Sequence, residues 1–276
     1  MKRQGWLRQT RRAVQLACLL GFLGLFVATE YRGADEIPWP VSLLFRLDPL
    51  ALLADLFAPG PVHLGLLWPA LLVLAATVVL GRVFCGWVCP LGTTLDGCGA
   101  LTGRGRSGVR PAWRRVKYLL LFALSAAALF GVQLLGLFDP LAIFLRTLTL
   151  SLYPAYNLAA NALFDAAWQH PLPLVSPALN ALYPFWRDHL MAFHQPVFAL
   201  GLFTLLVFLG IVLLERVERR FWCKNLCPLG ALLGLCSAGA LVRRRPGALC
   251  ADCRRCSEEC RMTAVAEKGM RKGECI

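Results

Sequence analysis

Four cysteines near the C-terminus, Cys250, Cys253, Cys256 and Cys260, occupy the run C-A-D-C-R-R-C-S-E-E-C. The spacing C-x2-C-x2-C-x3-C is that of a loop wrapped around a cubane iron–sulfur cluster. Three thiolates two residues apart point inward onto three irons, and the fourth reaches a second cluster. Zinc could use part of the run, but it takes its four ligands as two pairs, commonly from separate turns. The chemistry predicted here is one-electron transfer by a [4Fe-4S] cluster.

A second cysteine pattern occurs twice. Arg82-Val-Phe-Cys85-Gly-Trp-Val-Cys89-Pro90-Leu91-Gly92 is echoed by Arg220-Phe-Trp-Cys223-Lys-Asn-Leu-Cys227-Pro228-Leu229-Gly230. Both contain C-x3-C-P-L-G. A continuing helical turn puts two sulfurs four residues apart on one face, and the proline forces a turn or a new helix start. Three roles are open for Cys85, Cys89, Cys223 and Cys227: a further metal centre or cluster between two halves, a dithiol relay, or small apolar packing. Cys98 and Cys236, each thirteen residues past the first cysteine of its motif, read as packing residues.

The elements that must hold these thiols are apolar and long. The chain of 276 residues is 58% hydrophobic, with mean hydropathy +0.59. Stretches 13–29, 64–84, 116–138 and 196–214 are predicted membrane spans. The first also fits a signal peptide, with Arg11 and Arg12 ahead of it, but three more spans follow. Net charge is +13, and 25 of the 29 Lys and Arg fall in residues 1–12, 81–117 and 215–276. Basic residues confined to alternate loops follow the positive-inside rule, so both termini are predicted cytoplasmic. The charge is a topology signal and not a nucleic-acid footprint. All cysteines but Cys18 then lie at or beyond the cytoplasmic ends of the spans, where thiols stay reduced and metal or redox use is favoured over disulfides.

The duplication extends to Asp48-Pro49-Leu50-Ala51 and Asp139-Pro140-Leu141-Ala142, placed on the face opposite the cysteine motifs, with each carboxylate capping a helix start. The predicted fold is an all-α membrane protein of four transmembrane helices arranged as a two-fold internal repeat. Residues 1–242 form the membrane domain, with halves at about 13–100 and 116–238. An outer insert, 143–195, is too polar and too rich in Pro to span and is read as short helices on the outer surface. Residues 243–276 form a partial, truncated ferredoxin-type segment. The histidines, His63, His170, His189 and His194, all fall on the outer side; a quinone pocket near His63, His194 and Trp68 is a secondary reading. No Gly-rich phosphate loop, hydrolase triad or zinc-protease motif is present.

Paired C-x3-C-P motifs at span ends followed by a ferredoxin cysteine run resemble the NapH/NosR-type membrane-bound polyferredoxins, over about residue 13 to the end. F-C-G-W-V-C-P-L-G and F-W-C-K-N-L-C-P-L-G-A-L-L-G carry the resemblance. It implies a protein of the bacterial cytoplasmic membrane that passes electrons between quinol or a cytoplasmic donor and a respiratory membrane or periplasmic redox partner. Such a chain is an electron-transfer subunit, quinol dehydrogenase-like, and not a self-contained enzyme. A role in assembly of a respiratory enzyme, handling copper or thiol redox, is the alternative, since soft thiolates hold Cu(I) well. A transporter is weaker, because the spans hold almost no ionisable residues. Two departures from the family wording stand out: Arg261 replaces the proline expected after Cys260, and Cys275 lies next to the last residue, as the first cysteine of a second run would. In a two-cluster module Cys250, Cys253 and Cys256 serve the first cluster, and Cys260 and Cys275 the second. One cluster forms within these residues if Cys260 or Cys275 folds back as fourth ligand. The intact gene product is expected to continue with two or three more cysteines.

Overall fold

The structure, a computed structural model, describes residues 2–29, 42–61, 63–101, 111–169, 176–191, 197–242, 260–266, 269–271 and 273–274. Cys250, Cys253, Cys256, Cys275, His170 and His194 lie outside the described residues, so the readings made for them rest on sequence alone. The chain divides into two compact units, Met1–Leu20 with Ser42–Ile143 and Gly210–Ile276, and Gly21–Val41 with Phe144–Leu209.

Proline punctuates the helices of the first unit. Pro49, Pro90, Pro140 and Pro228 each open a helix: Pro49–Phe57, Pro90–Leu101, Pro140–Thr147 and Pro228–Ser237. Its locked φ suits the first helical position, where the missing N–H is no loss. Helix Pro228–Ser237 packs against Leu64–Leu80, Val116–Leu129 and Pro49–Phe57. Leu91, Leu95, Leu229 and Leu233, the apolar positions of the two helices that follow the cysteine motifs, are fully buried, each side chain contributing about 1.5–3 kcal/mol.

The predicted all-helical character holds, apart from two two-residue strands, Val265–Ala266 and Gly269–Met270, paired antiparallel. The spans are shorter than the apolar stretches suggested. Helix Leu64–Leu80 stops at Gly81, with φ +87°. Helix Val116–Leu129 ends before Gly131, with φ +85°, and helix resumes only at Leu135–Phe138. In both places glycine adopts a backbone that a side chain would oppose, so the helix ends although hydrophobicity continues. The fourth stretch forms Gly201–Leu213. By length and apolarity, Gln9–Val27 is the one helix among the described residues that suffices to cross a membrane.

In the second unit, Phe22 and Phe208 flank Phe144, with ring centroids 5.4 Å and 6.5 Å from it. The insert is helical, as Tyr153–Gln169 and Ser176–His189, and Phe164 meets Tyr183 edge-on at 5.0 Å across these two helices.

The Asp-Pro segments cap as expected: Leu50 N donates to Asp48 Oδ1 (2.8 Å) and Ala142 N to Asp139 Oδ2 (2.7 Å). They also meet. Both carboxyls are buried and hydrogen-bond each other, which requires one proton shared between them. The short helix that Asp48 opens packs against the helix that follows Cys227.

Candidate functional site: two cysteine motifs in a charged shell

In each motif the first cysteine sits on a short helical turn and the second precedes the proline that starts a new helix. Cys85 lies in a π-helical turn, Phe84–Val88, and Cys223 in an α-helical turn, Phe221–Asn225. Cys227 caps helix Pro228–Ser237, accepting from Gly230 N at 3.2 Å, and the Gly92 amide bonds the Cys89 thiol in the same way. Cys89 and Cys227 are buried, Cys85 and Cys223 partly so. Cys89 lies within electrostatic reach of Cys85 and Cys223, and Cys227 within reach of the other three; among the described residues no three His, Cys, Asp or Glu groups are placed to hold one metal ion. Burial, followed by the neighbouring sulfurs, pushes the Cys89 and Cys227 thiols far up; burial also pushes Cys223 up to about 12. Such thiols stay protonated until a metal displaces the proton.

Around the motifs stand charged side chains that sequence reading did not assign to the site. Arg82, Lys117, Arg220 and Lys224 are all fully buried. Arg220, from the second motif, crosses to the first. Its Nη1 donates to Cys85 O (3.0 Å), Nη2 to Gly92 O (3.3 Å) and to Asp96 Oδ2 (2.7 Å), and Nε to Asp96 Oδ1 (3.2 Å). Its backbone is held at φ +54°, a left-handed conformation costing about 1–3 kcal/mol for a non-glycine residue.

Asp96 also pairs with Arg261. The residue four past Gly92 is Asp96, and the residue four past Gly230 is Gly234. At Gly234 a Cβ would collide with Arg82 Nη2. The carboxylate missing from Gly234 is supplied by Glu274, which takes Arg82 Nη1 at 3.3 Å and Lys117 Nζ at 2.5 Å. Gly273, at φ +72°, lets the chain pass over Gly234, since a Cβ there would lie 2.5 Å from Gly234 O. Arg261 follows Cys260 and Glu274 precedes Cys275 in sequence, so these two residues tie the C-terminal part of the chain by charge to Asp96, on the helix after the first motif, and to Arg82 and Lys117. Cys260 itself is partly buried and lies within electrostatic reach of Arg11 and Lys224. The one signal for this shell was in the repeat wording: Arg82 and Arg220 each stand three residues before the first cysteine of their motif.

Burial pushes the Asp96 carboxyl up, but Arg220, Arg261 and Arg11 outweigh it and hold the group below the ordinary 3.8. A carboxyl depressed in the folded state adds stability above its unfolded value, and that stability is lost as pH falls through the folded one. Asp96→Asn is therefore expected to cost about 2 kcal/mol at pH 7. The gap in melting temperature from the parent should close as pH drops below about 4. A gap that does not narrow as pH falls from about 4 through the acid range would refute the pairing.

His63 bonds Asp55 (Nδ1 to Oδ1, 2.7 Å) beside a cleft of about 380 Å³ formed by Ser42, Phe45, Arg46, Leu64, Gly65 and Leu66. Trp68 is exposed. His189 stacks on Phe185.

The iron–sulfur class rests on the comparisons with known proteins. A 4Fe-4S binding domain family matches twice, over residues 62–107 and 199–248; each segment contains one C-x3-C-P motif and neither reaches the run at 250–260. The methylamine utilization ferredoxin-type protein MauN of Paracoccus denitrificans is 30% identical over 270 residues, covering 94% of this chain and 78% of that protein. The ferredoxin-type protein NapH of Haemophilus influenzae is 28% identical over 91% of this chain and 73% of its own length. The putative electron transport protein YccM of Escherichia coli is 27% identical over 69% of this chain, which spans only 45% of that relative. No solved structure matches the chain. The chain belongs to the NapH-type polyferredoxins, binds a [4Fe-4S] cluster and serves iron–sulfur electron transfer.

Proposed function

We propose that the chain is a multi-pass electron carrier of the bacterial cytoplasmic membrane. It works as a subunit between quinol or a cytoplasmic donor and a respiratory redox partner. The observation that supports this reading is the pairing of Arg261 with Asp96 beside the first cysteine motif, and of Glu274 with Arg82 and Lys117. Bound clusters supply one-electron transfer; the protein's part is to supply the cysteines and to surround them with cations.

An inside-out distribution of polarity supports the membrane. Four Lys and Arg side chains are fully buried, while Trp68, Leu72, Leu119, Phe122, Leu202 and Phe203 are each more than 60% exposed. Apolar exposure on this scale is what lipid, not water, accommodates. The apolar cleft beside His63 is the place for a quinone head group.

The test uses the full chain in proteoliposomes under anaerobic conditions. Adding a quinol analogue is expected to generate the EPR signal of a reduced cluster. Reduction by dithionite but by neither quinol nor a reduced cytoplasmic ferredoxin would overturn the carrier role. Copper bound stoichiometrically to Cys85, Cys89, Cys223 and Cys227 would move the assignment to assembly of a respiratory enzyme.

A further inference from the structure

We propose that Asp48 and Asp139 form a proton-binding site: the pair holds one proton between the two Asp-Pro helix starts through the neutral range, and giving it up destabilises the contact between them.

Three observations carry it. The first is placement. Asp48 opens helix Pro49–Phe57 and Asp139 opens helix Pro140–Thr147, at the same position of the two Asp-Pro-Leu-Ala segments and outside the predicted spans. The two residues are 0% and 5% exposed, and Leu50 and Leu141 beyond their prolines are fully buried as well. Bulk water is not there to solvate a charge on either carboxyl.

The second is an oxygen without a donor. Each Asp spends one oxygen on its own helix: Leu50 N donates to Asp48 Oδ1 and Ala142 N to Asp139 Oδ2. The other oxygen of Asp48, Oδ2, is buried and takes no hydrogen bond from an N–H or hydroxyl of the protein. The side chain that Asp48 bonds is Asp139. An ionised carboxylate only accepts, so two carboxyls bond each other only through a proton that one of them carries. Two carboxyls, with no third His, Cys, Asp or Glu group joining them among the described residues, suit a proton and not a multivalent metal ion.

The third is charge. A helix N-terminus carries about half a positive charge. Two such termini meet at the pair, and together they match one negative charge, that of two carboxyls sharing one proton. Losing the proton breaks an O–H bond, releases the proton to solvent and leaves two negative charges, which burial and mutual repulsion oppose. Burial, then the neighbouring Asp139, raises the Asp48 carboxyl well above the ordinary 3.8, against the amides of Leu50 and Ala51. The ionisable side chains on the elements packed against helix Pro49–Phe57 are Arg46, Lys117, Tyr118 and Cys236, with Asp55 on that helix and Arg146 on the helix that Asp139 opens. Of these, Lys117 is taken by Glu274 and Asp55 by His63. Asp48 acts on Cys85 less than Arg82, Arg220 and Lys117 do. A carboxyl raised in the folded state gives stability that is full below its unfolded value and is lost as pH rises from there through the folded one.

The experiment follows the C=O band of protonated aspartic acid by infrared spectroscopy, using the full chain labelled with ¹³C-aspartate in detergent. At about pH 7 the parent is expected to show this band, and either D48N or D139N should abolish it. Each amide donates to the carboxylate that remains, so no proton need be shared. A band that survives either substitution overturns the site. Between about pH 5 and 8 the melting temperature of the parent should fall by about 3 °C per pH unit more than that of either variant. Other groups that titrate in this range do so in all three proteins and cancel from the difference, so equal slopes overturn the proposal. Exchanging sodium chloride for choline chloride should leave the parent band in place. A band that appears only when sodium is withdrawn assigns the pair to a sodium ion, and the proposal fails. Should neither variant fold, the labelled parent decides alone: the absence of an aspartic acid band at about pH 7 overturns the site.

Discussion

Replacing Arg220 with Met is expected to destabilise the protein by about 3–5 kcal/mol, the range for breaking a buried ion pair by removing one partner. Among the described residues, Arg220 joins the two cysteine motifs through the most hydrogen bonds. One guanidinium satisfies the carbonyls of Cys85 and Gly92 and both oxygens of Asp96. Removing it takes one donor from each of the two carbonyls and leaves Asp96 with fewer cations. Arg220→Lys should recover only part of the loss, because a single ammonium cannot reproduce the planar fork that reaches oxygens in three directions. The left-handed backbone at Arg220 adds to the effect, since the side-chain network that holds the strained conformation is gone. Thermal unfolding in detergent checks both variants. A melting temperature for Arg220→Met within about 2 °C of the parent would show that the bridge contributes little.

Glu274→Gln should loosen the C-terminal segment. Arg82 and Lys117 are fully buried, and Glu274 is their shared carboxylate. The amide keeps the shape but not the charge, leaving two buried cations facing a neutral group at a cost of about 3 kcal/mol. Each 1.4 kcal/mol is tenfold in an equilibrium. Opening of the segment should therefore rise about 100-fold, seen as faster tryptic cleavage at Arg271 and Lys272 and faster amide exchange across Val265–Met270. Adding Lys117→Met to Glu274→Gln removes one of the two unpaired cations and should restore part of the protection. Unchanged cleavage in Glu274→Gln would mean that other contacts hold the segment.

Much of the chemistry was legible in the sequence because it depends on local spacing. C-x3-C-P specifies a helical turn and a new helix start within nine residues, and the structure has both at Cys85–Pro90 and at Cys223–Pro228. Asp before Pro specifies a capped helix start, and Asp48 and Asp139 provide it. Helix ends were less legible. Apolar composition runs on through Gly81 and Gly131, and only their positive φ ends the helices there.

The charged shell shows what local pattern cannot carry. Arg82 and Arg220 appear in the repeated wording, but nothing in a linear pattern tells a basic residue at a membrane boundary from one turned inward to brace a partner motif. Asp96 and Glu274 lie 124 and 54 residues from Arg220 in the chain, so their roles depend on which backbones approach one another. Gly234 decides that approach by having no side chain where Asp96 has one, which leaves room for Arg82 and for the passage of Gly273. Types of ligand and cofactor class were determined by the sequence alone, because thiol chemistry and spacing are local. That one buried arginine bridges two distant motifs, with further buried cations around it and Arg261 and Glu274 fastened nearby, was decided by tertiary structure. Burial, charge balance and contact between remote residues come into being only when the chain is packed.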